Sequence, residues 1–247
     1  MNDLVKVEPA TPQLGSGQMF DQIAPRYDFI NRVLSLGLDK RWRRRVIKEL
    51  ELAPNARILD VATGTGDLAV ELARAAPQGH VIGLDTSTQM LSVADQKMAK
   101  LGLSDRISLI EGDAQKLPQA NCEIDAATIA FGIRNVPDRA QGLRELARVV
   151  RPGGRIAVLE LSEPQSGFFG RAARFHTRQI VPRIGALLSC KREYRYLQTS
   201  VAAFPAPDAF AQMMRDNGLE VQKVIPLTFG VCVLFIATPK EPVDAAR

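Results

Sequence analysis

Apolar positions along this chain follow two rhythms. Five short runs are almost continuously apolar: RILDVA (57–62), HVIGLD (80–85), ISLIEGD (107–113), IDAATIAF (124–131) and RIAVLEL (155–161). Between them lie stretches with helical spacing, LAVELARAA, TQMLSVADQKMAKLG and RAQGLRELARVV. Strands apolar on both faces, separated by helices, predict an α/β fold with a parallel, doubly wound sheet. In ARVVRPGGR a Pro-Gly-Gly turn is expected to stop the last of these helices before the next strand. After residue 162 the alternation breaks, and residues 164–205 carry Gly, Pro, aromatics and many Arg. It resumes with a helix, PDAFAQMMRDNG, and two apolar runs, EVQKVIPLT and GVCVLFIAT, separated by FG. Those two runs predict a closing antiparallel hairpin.

The first strand, turn and helix carry the chemistry. In ILDVATGTGDLAVELA (58–73), Gly64, Gly66 and Ala69 fit the G-x-G-x-x-G/A turn of nucleotide-binding sheets. Asp85 ends the second strand about 20 residues on, where a ribose-binding acid is expected. Spacing alone fits NAD nearly as well as S-adenosylmethionine. Charge separates them, because a pyrophosphate would sit on the helix N-terminus. Asp60 ends the strand, Asp67 opens the helix, and no Lys or Arg lies between Arg57 and Arg74. Two carboxylates repel a pyrophosphate and suit a ligand with an ammonium and a sulfonium, so S-adenosylmethionine is the expected cofactor. Asp60, Gly64, Gly66, Asp85 and Thr86 are its candidate contacts. Asp113, at the end of the third strand, is placed to accept from the adenine amino group while the Ala114 N–H faces the ring. The plainer reading of Asp113 is an Asx-turn.

Composition sets limits. At 247 residues, one α/β domain with one insertion is the simplest organisation. It would occupy residues 18–240, between tails at 1–17 and 241–247. A formal charge of +5 is too weak to imply nucleic acid by itself. No apolar run reaches about 18 residues, and MNDLVKVEPATPQLGSGQ lacks a charged-then-apolar signal. Cys122, Cys190 and Cys232 are far apart, and His80 and His176 are the only histidines. Free thiols, a cytoplasmic location and no metal site are therefore expected. Cys232, in VCVLFIA, reads as core.

Several longer segments are distinctive. YDFINRVLSLGLDKRW, FGIRNVPD, RVVRPGGRIAVLELSEP, VPRIGALLS, YRYLQTSVAAFP and PDAFAQMMRDNG closely resemble the ubiquinone/menaquinone biosynthesis C-methyltransferase family, over roughly residues 18 to 240. The resemblance implies the class I methyltransferase fold, a seven-stranded, mostly parallel sheet ending in the hairpin. It also implies an N-terminal helical cover and makes 164–205 a substrate-side insertion. It adds Thr65 and Ala130 to the cofactor contacts; Ala130 stands where the family often has Ser. Ala62 replaces the first glycine of the D-x-G-x-G-x-G turn, which is tolerable if φ there is negative. Asp39 replaces a frequent His, and a helix N-cap is its expected role.

The reaction so implied is methyl transfer from S-adenosylmethionine to a ring carbon of a prenylated quinol. Such a carbon is a poor nucleophile until a ring hydroxyl loses its proton. Arg134 is a candidate to stabilise the phenolate or to polarise a water that takes the proton, and its plainer reading is an ion pair, for example with Asp113. Asn135 is a candidate partner of a substrate oxygen. Tyr27 and Asn31 share one face of a short N-terminal helix, with Tyr27 reaching the site. His176 is a candidate proton acceptor, and Tyr194 and Tyr196 are further candidates for the pocket. In KRWRRRVIK, Arg41, Arg44, Arg45 and Lys48 form one basic helix face, and the insertion adds Arg171, Arg174, Arg178, Arg183, Lys191, Arg192 and Arg195. With a greasy substrate this suits peripheral contact with the inner face of a membrane better than RNA. Homo-oligomerisation stays open. So do two alternatives, a relative acting on another phenolic or polyketide molecule and a cofactor-binding protein without methyl transfer.

Overall fold

The computed structural model describes Asp21, Ala24, residues 27–163 and residues 191–240. The expected tails, His176, Cys190 and Arg171, Arg174, Arg178 and Arg183 lie outside these residues. The described chain opens with α1 (Tyr27–Leu34) and α2 (Leu38–Leu50), then runs β1 (Arg57–Val61), α3 (Asp67–Ala75), β2 (His80–Asp85), α4 (Thr88–Leu101), β3 (Ile107–Glu111) and β4 (Ile124–Ala130). A 3-10 turn at Ile133–Asn135 leads to α5 (Arg139–Val149) and β5 (Val150–Leu161), and the described chain continues with α6 (Lys191–Ala202), α7 (Pro207–Asp216), β6 (Leu219–Leu227) and β7 (Cys232–Pro239).

The seven strands form one sheet in the order β3-β2-β1-β4-β5-β7-β6. All pairings from β3 to β5 are parallel, and β7 runs antiparallel to both β5 and β6. The expected fold and closing hairpin are therefore present, with β7 slotted between β5 and β6. Both faces are covered, which is why the strands are apolar throughout. Leu59 and Val61 face a layer containing Leu143 and Leu146 of α5 and Phe210 and Met214 of α7. Ile58 faces the other layer, with Trp42 and Val46 of α2, Leu72 of α3 and Met98 of α4.

Two local expectations are corrected. The Pro-Gly-Gly segment does not stand between helix and strand. It is a bulge inside β5, where pairing jumps from Ile124–Val150 to Ala126–Arg155. Gly154 is needed there because a Cβ would lie 2.6 Å from the Asp125 carbonyl oxygen. Asp39 is not an N-cap. Gly37, at φ 74°, occupies that position. Asp39 instead lies buried in the first turn of α2, accepting from Ser35 Oγ at 3.0 Å and Arg43 Nη1 at 2.6 Å. Cys232 is fully buried as expected, and burial first, then Glu160, pushes its thiol well above the ordinary range.

Candidate active site

Strand order reverses between β1 and β4, where sheets of this kind open a crevice beyond the carboxyl ends of their strands. A cavity of about 250 Å³ lies there. Val61, Ala62 and Gly64 line it from β1, Leu84 to Thr86 from β2, Gly112 to Gln115 from β3, and Ala130 to Gly132 from β4. Tyr27 of α1, Met90 of α4 and Asn135 to Pro137 complete the wall. Lining residues thus include the expected Gly64, Asp85, Thr86, Asp113, Ala114, Ala130, Tyr27 and Asn135. Asp60, Thr65, Gly66 and Arg134 lie behind this wall, and Met90, Phe131, Gly132 and Gln115 join the site without having been anticipated.

Asp85 is held by the turn it faces. Its Oδ2 accepts from the Gly64 N–H at 2.8 Å and its Oδ1 from the Ser87 N–H at 2.9 Å. Burial raises its pKa more than these backbone donors lower it. The Thr86 backbone also acts on this carboxylate, which still has accepting capacity for a further donor such as a ribose hydroxyl. Gly64 has φ 57°, and a Cβ on it would meet nothing within 4 Å, so its bare backbone fronts open cavity. Asp113 does form an Asx-turn, accepting from the Gln115 N–H at 2.8 Å. These residues fit a nucleoside with a diol and an amine.

Asp60 plays an internal part. It is 1% exposed and accepts from Thr63 Oγ1 at 2.7 Å and Thr128 Oγ1 at 2.6 Å. Burial pushes its carboxyl up to about 6, against the pull of the two hydroxyls. Gly83 leaves room for this arrangement, since a Cβ there would stand 3.0 Å from Thr63 Cγ2. Gly66 serves packing, because a Cβ on it would strike Met98 Cε of α4 at 2.3 Å.

The turn is less acidic than its sequence suggests. Asp67 receives Lys97 Nζ at 2.6 Å, with Arg32 at 3.6 Å and Arg43 at 4.0 Å. Burial works to raise its pKa, and these cations together hold it below the ordinary value. Asp67 is therefore not a bare carboxylate at the turn, because cations reach it from α1, α2 and α4 rather than from the neighbouring sequence. Lys97 also binds Asp28 at 2.7 Å, and Thr65 Oγ1 donates to the same carboxylate. Thr65 therefore fastens α1 over the turn. Ser87 Oγ adds a second tie, donating to Asp21 at 2.6 Å.

Ala62 has φ 53°, not the negative value expected of an alanine there. Phe131, across the crevice, is also left-handed at φ 59°. It sits beneath α2, 6.1 Å from the Trp42 ring and 5.7 Å from the Arg43 guanidinium carbon. Arg134 pairs with Glu160 of β5 rather than with Asp113. Its Nη1 lies 2.6 Å from Glu160 Oε1 and also donates to the Phe131 carbonyl at 2.7 Å. Burial opposes its charge, but Glu160 more than restores it. Glu160 had no signal in the sequence, where it reads as one residue of an apolar strand. Asn135 Oδ1 accepts from the Tyr196 hydroxyl of α6 at 2.7 Å.

A family model described as the ubiE/COQ5 methyltransferase family matches residues 11–239. The chain belongs to that family. Among the relatives of this family member, a demethylmenaquinone methyltransferase of Deinococcus radiodurans is 48% identical over 89% of the chain and 90% of the relative. Another, named ubiquinone/menaquinone biosynthesis C-methyltransferase UbiE, from Syntrophotalea carbinolica, is 46% identical over 92% and 94%. The family member's fold is shared with an S-adenosylmethionine-dependent methyltransferase of Aquifex aeolicus, at TM-score 0.62, 19% identity and coverage of 90% and 97%. A second structural neighbour, from Methanococcus maripaludis, has TM-score 0.64, 15% identity and coverage of 96% and 99%.

Proposed function

We propose that the protein transfers a methyl group from S-adenosylmethionine to a ring carbon of a prenylated quinol. The observation that carries this reading is family membership together with a cavity whose walls supply what each half of the reaction needs. Asp85 and the Asp113–Ala114 pair would hold the ribose and adenine of the cofactor, with Gly64 letting the backbone approach it. Bound there, S-adenosylmethionine supplies an electrophilic methyl. The remaining walls are suited to a planar ring, with Tyr27, Phe131 and Val136 as its apolar sides.

Nucleophilicity at carbon comes from ionising a neighbouring ring hydroxyl. Arg134, just behind the wall, keeps its charge through Glu160, and that charge pulls on the Tyr196 hydroxyl. A fixed cation of this kind lowers the cost of a phenolate nearby without any rearrangement during the reaction. Asn135 lies at the cavity to meet the oxygen itself. As the carbon–carbon bond forms the methyl–sulfur bond would break, leaving a neutral thioether, and the ring carbon would then lose its proton to water, restoring the aromatic ring. Two relatives at 48% identity are named demethylmenaquinone methyltransferase, which supports a naphthoquinol as the first ring to try.

The reading extends to a lid and a surface. Residues 164–205 would cover the substrate. No described helix is long and apolar enough to cross a membrane. Arg41, Arg44 and Lys48 are exposed along α2, with Leu36 exposed at its entry, and this basic and apolar edge would meet anionic lipid. Calorimetry tests the cofactor, with S-adenosylmethionine expected to bind and NAD not. Radiolabel from the cofactor methyl should then appear in extracted naphthoquinol, and its absence would refute the substrate.

A further inference from the structure

We propose that Tyr196 is a positioning residue, one that turns the Asn135 amide so its Nδ2 hydrogens face the substrate cavity. The proposal rests on the quinol reading above and assigns a task to α6, which that reading leaves undefined. Asn135 ends the 3-10 turn after β4, and its main chain is fixed by its N–H donating to the Gly132 carbonyl at 2.9 Å. Its side chain is then set by two torsions, of which χ2 decides whether the amide oxygen or nitrogen faces a given neighbour. A phenol can donate or accept, but the charges of Arg134 and Arg139 draw on the lone pairs of the Tyr196 oxygen, which leaves its O–H to donate to Oδ1, as it does at 2.7 Å.

That choice has a chemical consequence. A primary amide has one accepting and one donating end. With Oδ1 engaged by Tyr196, Asn135 is left to offer donors. A donor stabilises a ring oxygen that is becoming anionic, whereas the flipped amide would present an oxygen and repel it. Tyr196 can fill this role only while its hydroxyl keeps its proton. It is half-buried, and burial raises its pKa, with Arg134 and Arg139 pulling down and Glu160 pushing up. The net direction is upward, so the phenol remains a donor at neutral pH. Phenylalanine would fill nearly the same volume without selecting the flip.

The test compares Tyr196→Phe, Asn135→Ala and the double variant in ring methylation of demethylmenaquinol, with S-adenosylmethionine affinity measured alongside. Tyr196→Phe is expected to bind the cofactor as the wild type does and to lose about tenfold in kcat, the worth of one hydrogen bond. In the Asn135→Ala background the same change should cost nothing further, because Tyr196 acts through that amide. Wild-type kcat in Tyr196→Phe, or an equal loss in both backgrounds, would overturn the proposal. A second readout does not depend on turnover. The Asn135 side-chain amide signal in ¹⁵N NMR, assigned by its absence from Asn135→Ala, should shift when 4-nitrophenolate is added to the cofactor-bound protein. That shift should be lost in Tyr196→Phe, and a shift that persists would also overturn the proposal. Failure of the wild type to methylate the ring would instead refute the quinol reading, leaving the NMR result to decide the role of Tyr196.

Discussion

Arg134 and Glu160 form the most enclosed ion pair among the described residues, with side chains 6% and 0% exposed. Removing one member strands the other's charge in the core. Glu160→Ala and Arg134→Ala are each expected to lower stability by about 3 to 5 kcal/mol, with the double variant costing less than the sum. Urea unfolding of the four proteins checks this. Loss of turnover in Arg134→Ala is expected as well, and it has to be read against the unfolding curve.

Asp60 makes stability depend on pH in an unusual sense for a carboxylate. Its folded pKa, about 6, stands above the ordinary value of 3.8. The folded state therefore holds a proton that the unfolded state has released between these values. The contribution is fully present below about pH 4 and is lost as pH rises through 6, an effect of roughly 3 kcal/mol. Asp60→Asn should remove that slope, so the variant gains on the wild type as pH rises from 4 to 7. Unfolding free energies across that range provide the check.

Ala62 and Gly132 are packed against each other beyond the ends of β1 and β4, and a Cβ on Gly132 would lie 2.4 Å from the Ala62 Cβ. Gly132→Ala should therefore destabilise by about 2 kcal/mol or more. Ala62→Gly relieves a left-handed alanine and should stabilise by up to about 1 kcal/mol after the added freedom of the unfolded chain. Placing both changes together should recover most of the loss, as thermal unfolding would show.

Lys97 bridges Asp28 of α1 and Asp67 of α3 through contacts of 2.7 and 2.6 Å. Lys97→Met should loosen the cover over the glycine turn. We expect S-adenosylmethionine to dissociate several-fold faster, and the salt dependence of its release to weaken. Stopped-flow release at two ionic strengths measures both.

How much of this was legible beforehand depends on the range of the interactions. Apolar runs of strand length and the helices between them foretold the sheet, because each signal is carried by a single segment. The acids at strand ends pointed to the cavity for the same reason, and Asp85 and Asp113 do line it. Lys97 was invisible because its partners are 30 and 69 residues away. Glu160 was hidden in an apolar strand, since burial of a charge is decided by a partner 26 residues earlier. Ala62 carries a left-handed φ because the turn leaving β1 sets its backbone there, which the residue type does not announce.

Methyl transfer to carbon rather than to oxygen is what sets this reaction apart. Incubating the protein with S-adenosylmethionine carrying a ¹³C methyl and with demethylmenaquinol, then recording the product's ¹³C spectrum, tests it most directly. A new signal of a methyl bound to a ring carbon is expected. The signal of a methyl bound to oxygen, or no incorporated label, would contradict methyl transfer to carbon.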